Sequence, residues 1–129
     1  MDQIVINGNA IDTLVAITYD EQEKGLMFQK NPKPMTFIYA APSYNQFWMK
    51  NCFVPLDIVF ALSNKVVDIR SGIPHSTALI SNGGLSDLIV ELPAGTCLAH
   101  DIKIGDVITP NFSDSTLKRF FMQANGHSF

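Results

Sequence analysis

The sequence predicts a mainly β domain: a compact β-sandwich, jelly-roll-like or barrel-like, with one or two short helices and a C-terminal helix. Short apolar runs rich in Val, Ile and Phe recur along the chain, and Gly, Pro, Asn and Ser punctuate them. Segments with a helical apolar period are few and short. The 129 residues, 47% apolar and 16% charged, suffice for one core without a covalent staple.

The runs are QIVI, IDTLVAIT, MTFIYA, QFWMKN, LDIVFAL, KVVDIR, LIVEL and DVITP. Asn7-Gly8 predicts a tight hairpin between the first two, because both residues accept the positive φ such a turn demands. Ser63-Asn64 plays the same part between Leu56–Leu62 and Lys65–Arg70. In TYDEQEKGLMF, Thr18 or Asp20 caps a short helix, and Glu21 or Glu23 completes a capping box. Leu26 and Met27 then pack that helix on the sheet. GTCLAHDI reads as one or two helical turns opening at Thr96, and Gly105-Asp106 turns the chain into the strand VIT. In the tail, Ser113 or Asp114 caps a helix with Leu117, Phe120 and Phe121 on one stripe and Gly126 at its end. Residues 1–112 thus form a single β-rich domain and 113–129 a helical extension. The extension is expected to dock on its own domain, since apolar helix stripes usually belong to a core.

Nine basic and twelve acidic side chains give a formal charge of −3 with no basic run, so nucleic acid is not an expected partner. The N-terminus has no basic segment followed by an apolar one, and no stretch approaches membrane-spanning length. The expectation is a soluble, cytoplasmic chain without a membrane partner. Cys52 and Cys97 have no metal or redox spacing; free thiols are expected, with a single disulfide left open. GxSxG, Walker, GxGxxG and HExxH motifs are absent, and Gly83-Gly84 reads as a loop tip. His75, His100 and His127 are scattered, and His100-Asp101 are adjacent and point apart, so no metal, cofactor or dyad is expected.

The segment FWMKNCFVPLDIVF, residues 47–60, places Lys50, Asn51 and Asp57 in an otherwise apolar run. Strand alternation puts Lys50 with Trp48 and Cys52, Asp57 with Val59 and Ala61, and Glu91 with Ile89. Buried charge costs several kcal/mol per ion, roughly, unless it is paired, so these groups are expected to meet one another or to border a cleft. As ordinary ion pairs they would be framework. As a site, Trp48, Lys50, Asn51, Asp57 and Glu91 are the ligand-binding candidates, and Asp57 and Glu91 with Lys50 the catalytic ones. The leading reading is a non-catalytic binding module for a small polar ligand, a glycan or a protein surface, using a groove near Trp48, Lys50 and the loop 71–87. Two alternatives stand beside it. One is a hydrolase or lyase with Asp57 and Glu91 as acid and base and Lys50 holding a negative charge. The other is an interaction protein acting through its aromatic C-terminal segment.

In order along the chain, EQEKGLMF, FWMKNCFVPLDIVF, IVELPAG and IKIGDVI resemble the bacterial and archaeal family known as domain of unknown function 192, over about residues 12–109. The resemblance implies a compact β-rich domain with jelly-roll-like sheets and a short helix before GLMF; no established activity comes with it. It further implies that Trp48, Lys50, Asn51, Pro55, Asp57, Glu91 and Gly95 shape one face, with Gly25 and Gly95 permitting turns at helix ends. The chain departs from the family pattern at Gln29, where Arg is typical, and in the loop 71–87, which lacks a Pro-Cys pattern.

Overall fold

The computed structural model describes residues 1–124. Eight strands form two sheets, accompanied by three short helices, one of them C-terminal. The strands are β1 (Gln3–Ile6), β2 (Asn9–Asp12), β3 (Leu14–Ala16), β4 (Met35–Tyr44), β5 (Leu56–Leu62), β6 (Lys65–Gly72), β7 (Leu85–Pro93) and β8 (Ile108–Asn111). The helices are α1 (Tyr19–Lys24), α2 (Thr96–Ala99) and α3 (Asp114–Ala124). A three-stranded sheet runs β2-β1-β8, and a five-stranded sheet runs β3-β4-β7-β5-β6. The sheets stay separate and do not close into a barrel.

Both predicted hairpins form. Asn7 and Gly8 (φ 52° and 73°) join β1 to β2, while Ser63 and Asn64 (φ 50° and 66°) join β5 to β6. Thr18 caps α1: its side chain accepts from Glu21 N, and the Glu21 carboxylate accepts from Thr18 N in return. Two expected strands fail. IDTLVAIT divides at Thr13 into β2 of the small sheet and β3 of the large one. The break is satisfied locally: Thr13 N donates to Asp2 O, and its hydroxyl donates to Leu14 O. QFWMKN contributes only the isolated bridge Phe47↔Ile80 before the chain turns at Lys50 and Asn51, the latter at φ 60°.

One face of the large sheet packs on the small sheet, bringing Val59, Val90 and Leu92 against Ile4, Ile6 and Ile108. The opposite face, with Phe37, Ile58, Phe60 and Ile89, is covered by Leu26, Met49 and Cys52 from the connecting segments. Strands β5 and β7 are therefore buried on both sides, which explains why LDIVFAL and LIVEL read as continuous apolar runs instead of alternating ones.

The C-terminal helix docks through Thr116 and Phe120. Asp2 Oδ1 accepts from Ser113 N at 2.8 Å and Oδ2 from the Thr116 hydroxyl at 2.7 Å, while Phe120 packs on the inter-sheet core. Leu117 and Phe121, expected on the same inward stripe, are largely exposed. Gly126 as helix end and His127 lie outside the described residues.

Met49, fully buried, ties the 45–54 segment to the sheet beneath it and donates its N–H to Ser76 O at 2.9 Å. It occupies the space that a Cβ on Gly72 would need. Gly72→Ala is expected to cost about 1–3 kcal/mol, because the new methyl group forces the fully buried Met49 side chain to repack. Urea denaturation of the variant measures this directly.

Candidate functional site

The site is built where α1 ends. Gly25 closes the helix at φ 48° and sends Leu26 into the core beside Phe37. The Gln22 side-chain amide donates to Ala16 O and Ile38 O, fixing the helix to β3 and β4. Phe28 N then donates to Asn51 O at 2.8 Å, tying the post-helix turn to the tip of the 45–54 segment. That segment is held on its other side by the loop after β6, through the Phe47–Ile80 pair and through His75 N donating to Cys52 O at 3.1 Å.

These restraints leave a cavity of about 370 Å³ between α1, the 45–54 segment and the large sheet. Phe37, Tyr39, Phe47 and Trp48 supply aromatic walls, and Leu79 brings in the Gly/Ser/Asn-rich loop. Glu91 lies among the lining residues and is only 4% exposed. Its carboxyl has no hydrogen-bond or ion-pair partner among the described residues, and it borders the cavity space. Burial, with nothing to offset it, pushes the carboxyl from its ordinary 4.5 up to about 7. Neighbouring acids are affected in turn. Tyr39 is raised to about 12 and Cys52 to about 11, by burial first and the Glu91 charge second.

The candidate residues do not converge as alternation suggested. Asp57 pairs in register with Leu92 and Ile58 with Glu91, so the two carboxylates point to opposite faces of the sheet. The predicted Asp57–Glu91 acid/base pair is corrected on this ground, as is the expectation that the family-matched residues shape one face. Asp57 is framework: its Oδ2 accepts from Gly95 N at 3.1 Å and Cys97 N at 3.0 Å, fixing the start of α2. Gly95 adopts φ 92° there, matching its expected role at a helix end. Lys50 lies on the exposed turn, not on a buried strand row, and meets neither carboxylate. Its ammonium sits 5.1 Å from the centroid of the Trp48 ring, a cation–π contact. Asn51 supplies the backbone turn, and Trp48 stands at the cavity mouth, 41% exposed.

Sequence reasoning missed Tyr39, Phe37, Phe47 and the α1 terminus as parts of the site. Only the position of Gly25 directly after a capped helix could have signalled it, because that glycine brings the chain over Glu91: a Cβ there would lie 3.5 Å from Glu91 Oε1 and from Phe37 Cζ. Cys52 and Cys97 are unpaired thiols in different core clusters. His75 packs on Phe53 at 5.7 Å between centroids, and His100 ends α2. Among the described residues no three His, Cys, Asp or Glu side chains gather as metal ligands, and no helix is long and apolar enough to cross a membrane.

Two outcomes follow from the different settings of the carboxylates. Between pH 4.5 and about 7 the folded protein holds a proton on Glu91 that the unfolded chain has released, so stability falls as pH rises through that window and levels off above it. The loss is on the order of 3 kcal/mol. Glu91→Gln removes this slope, so the variant should match wild type at low pH and exceed it above about pH 8, in urea titrations across pH. Asp57→Ala, by contrast, strands two backbone donors and should cost about 1–2 kcal/mol while leaving the cavity unchanged by amide NMR shifts.

Comparison with known proteins agrees with this architecture. A protein of unknown function from Novosphingobium aromaticivorans DSM 12444 superposes with a TM-score of 0.78 at 28% identity, covering 83% of each chain. A Sinorhizobium meliloti 1021 protein, described as a "putative transcription regulator", gives 0.78 at 25% identity, covering 84% of this chain and 91% of that one. No curated protein matches the chain. The model of the family DUF192, described as "Uncharacterized ACR", matches residues 3–110. A match of that extent makes the chain a member of the DUF192 family.

Proposed function

We propose that this protein is a small-molecule binding domain whose ligand occupies the cavity between α1, Trp48 and Glu91. A single observation carries the reading: the carboxyl of Glu91, a residue only 4% exposed, borders a cavity of about 370 Å³ with no protein partner among the described residues. Pockets of this kind combine apolar walls with a few placed polar groups, and the volume is that of a small-ligand site. A folded chain gains nothing in stability from an unpartnered buried acid. The Asp57–Glu91 hydrolase or lyase reading is not retained, because the sheet lies between the two groups.

A second reading, partner binding through α3, has the exposure of Leu117, Phe121 and Met122 in its favour. It concerns a surface separate from the cavity-lining residues.

The test is a fragment screen followed by amide NMR on the full chain, with fragments of positive, neutral and negative charge. Binders are expected to shift the signals of Gly25, Leu26, Trp48 and Glu91, and Trp48→Ala should weaken them by about fivefold or more. A screen whose hits all fall elsewhere, or that yields none, overturns the assignment.

A further inference from the structure

We infer that the ligand is an organic ammonium ion, with its charged nitrogen against Glu91 and its carbon skeleton among the aromatic walls. This rests on the binding reading above and goes further by naming the ligand's chemistry. The cavity's polar inventory is short. Gln22 spends its amide nitrogen on two backbone carbonyls, so it offers a ligand no donor and only its amide oxygen as an acceptor. What remains deep inside is one carboxyl, one phenol hydroxyl at Tyr39 and one thiol at Cys52, with the Gln46 amide also on the lining. A sugar presents many hydroxyls and would leave most of them unpaired against Phe37, Phe47, Leu26 and Met27. An anion would face Glu91 with no buried cation to receive it.

An ammonium ion fits both features at once. Its N–H groups donate to the orphan carboxylate, a charge-assisted contact strengthened by the low dielectric around it. Ring faces attract the same cation through their quadrupoles, and Trp48 already does so with Lys50. The groups facing Glu91 do not supply a competing internal cation. Tyr39 from β4 and Cys52 from the 45–54 segment stay neutral. Of the titratable α1 residues on the lining, Tyr19, Glu23 and Lys24, only Lys24 is cationic; it is solvent-exposed and makes no ion pair with Glu91. On binding, the Glu91 proton leaves to solvent and the ammonium keeps all of its own, so uptake of the cation is coupled to release of a proton.

Trp48 is the sole tryptophan of the chain and stands at the cavity mouth, so its fluorescence reports occupancy directly. The probes are benzylammonium and its near-isosteres benzyl alcohol and benzoate, titrated into wild type and Glu91→Gln. Benzylammonium is expected to bind at least about tenfold tighter than benzyl alcohol. Its affinity should rise from about pH 5.5 to 8, and calorimetry in two buffers at about pH 6 should show proton release approaching one per ligand. Glu91→Gln should erase the preference while remaining folded by amide NMR. If the alcohol or benzoate binds as well as the ammonium, or if Glu91→Gln keeps the preference, the cation assignment falls and the cavity as a binding site stands. If none of the three perturbs Trp48, the cation assignment also falls, and the fragment screen alone then decides whether the cavity binds anything.

Discussion

The burial of β5 and β7 on both faces is the constraint on which the rest of the structure depends. They lie side by side inside the large sheet, flanked by β4 and β6. The small sheet covers one face, and α1 with its connections covers the other. Each large apolar side chain sealed in this way contributes on the order of 1.5–3 kcal/mol. The same arrangement leaves no solvated face for a charge in the middle of β7, and only near its start does Asp87 reach the surface, where it accepts from Ser63 N. An acid at a covered position must find donors within the protein or border a cavity.

Asp57 and Glu91 exemplify the two solutions. Asp57 lies at the start of β5, close enough to the chain reversal after β7 that one oxygen collects the N–H groups of Gly95 and Cys97. Its burden is discharged inside the fold, and the neighbouring Cys97 thiol is raised to about 12, by burial first and by Asp57 second. Glu91 lies on the other face, beneath segments whose backbone groups are spent on one another: Phe28 on Asn51, Phe47 on Ile80, Met49 on Ser76. The backbone groups of that cover are therefore already satisfied, and none of them donates to the carboxyl.

Much of this was legible in the sequence. Hairpins at Asn7-Gly8 and Ser63-Asn64 and the capping box at Thr18 follow from local chemistry, which tertiary packing had no reason to override. The importance of Glu91 and Trp48 followed from a charge and an aromatic ring set in apolar runs. What failed was the inference from alternation to shared environment. Period two gives the face of each residue within its strand, but it cannot say which faces of different strands coincide, since that depends on register. Nor could it see that the chain leaves strand geometry at Asn51, so that Lys50 rides on a turn. Residue types in QFWMKN fit a strand; the positive φ at Asn51 and the anchoring of Met49 under Gly72 are tertiary choices.

The distinction between a framework acid and a ligand-seeking acid reduces to counting donors. Both carboxylates sit next to apolar rows, and both raise the proton affinity of a neighbouring thiol. Only one of them lacks donors. An apolar side chain at position 91 would pack against Phe37, Ile58 and Ile89 without the desolvation cost that keeps the carboxyl near neutrality. The cost is tolerable because stability need only exceed a threshold, and a ligand that supplies the missing donors offsets it by mass action. A domain arranged in this way is least stable when empty and ionised, and it gains most from an occupant that brings positive charge into an aromatic enclosure.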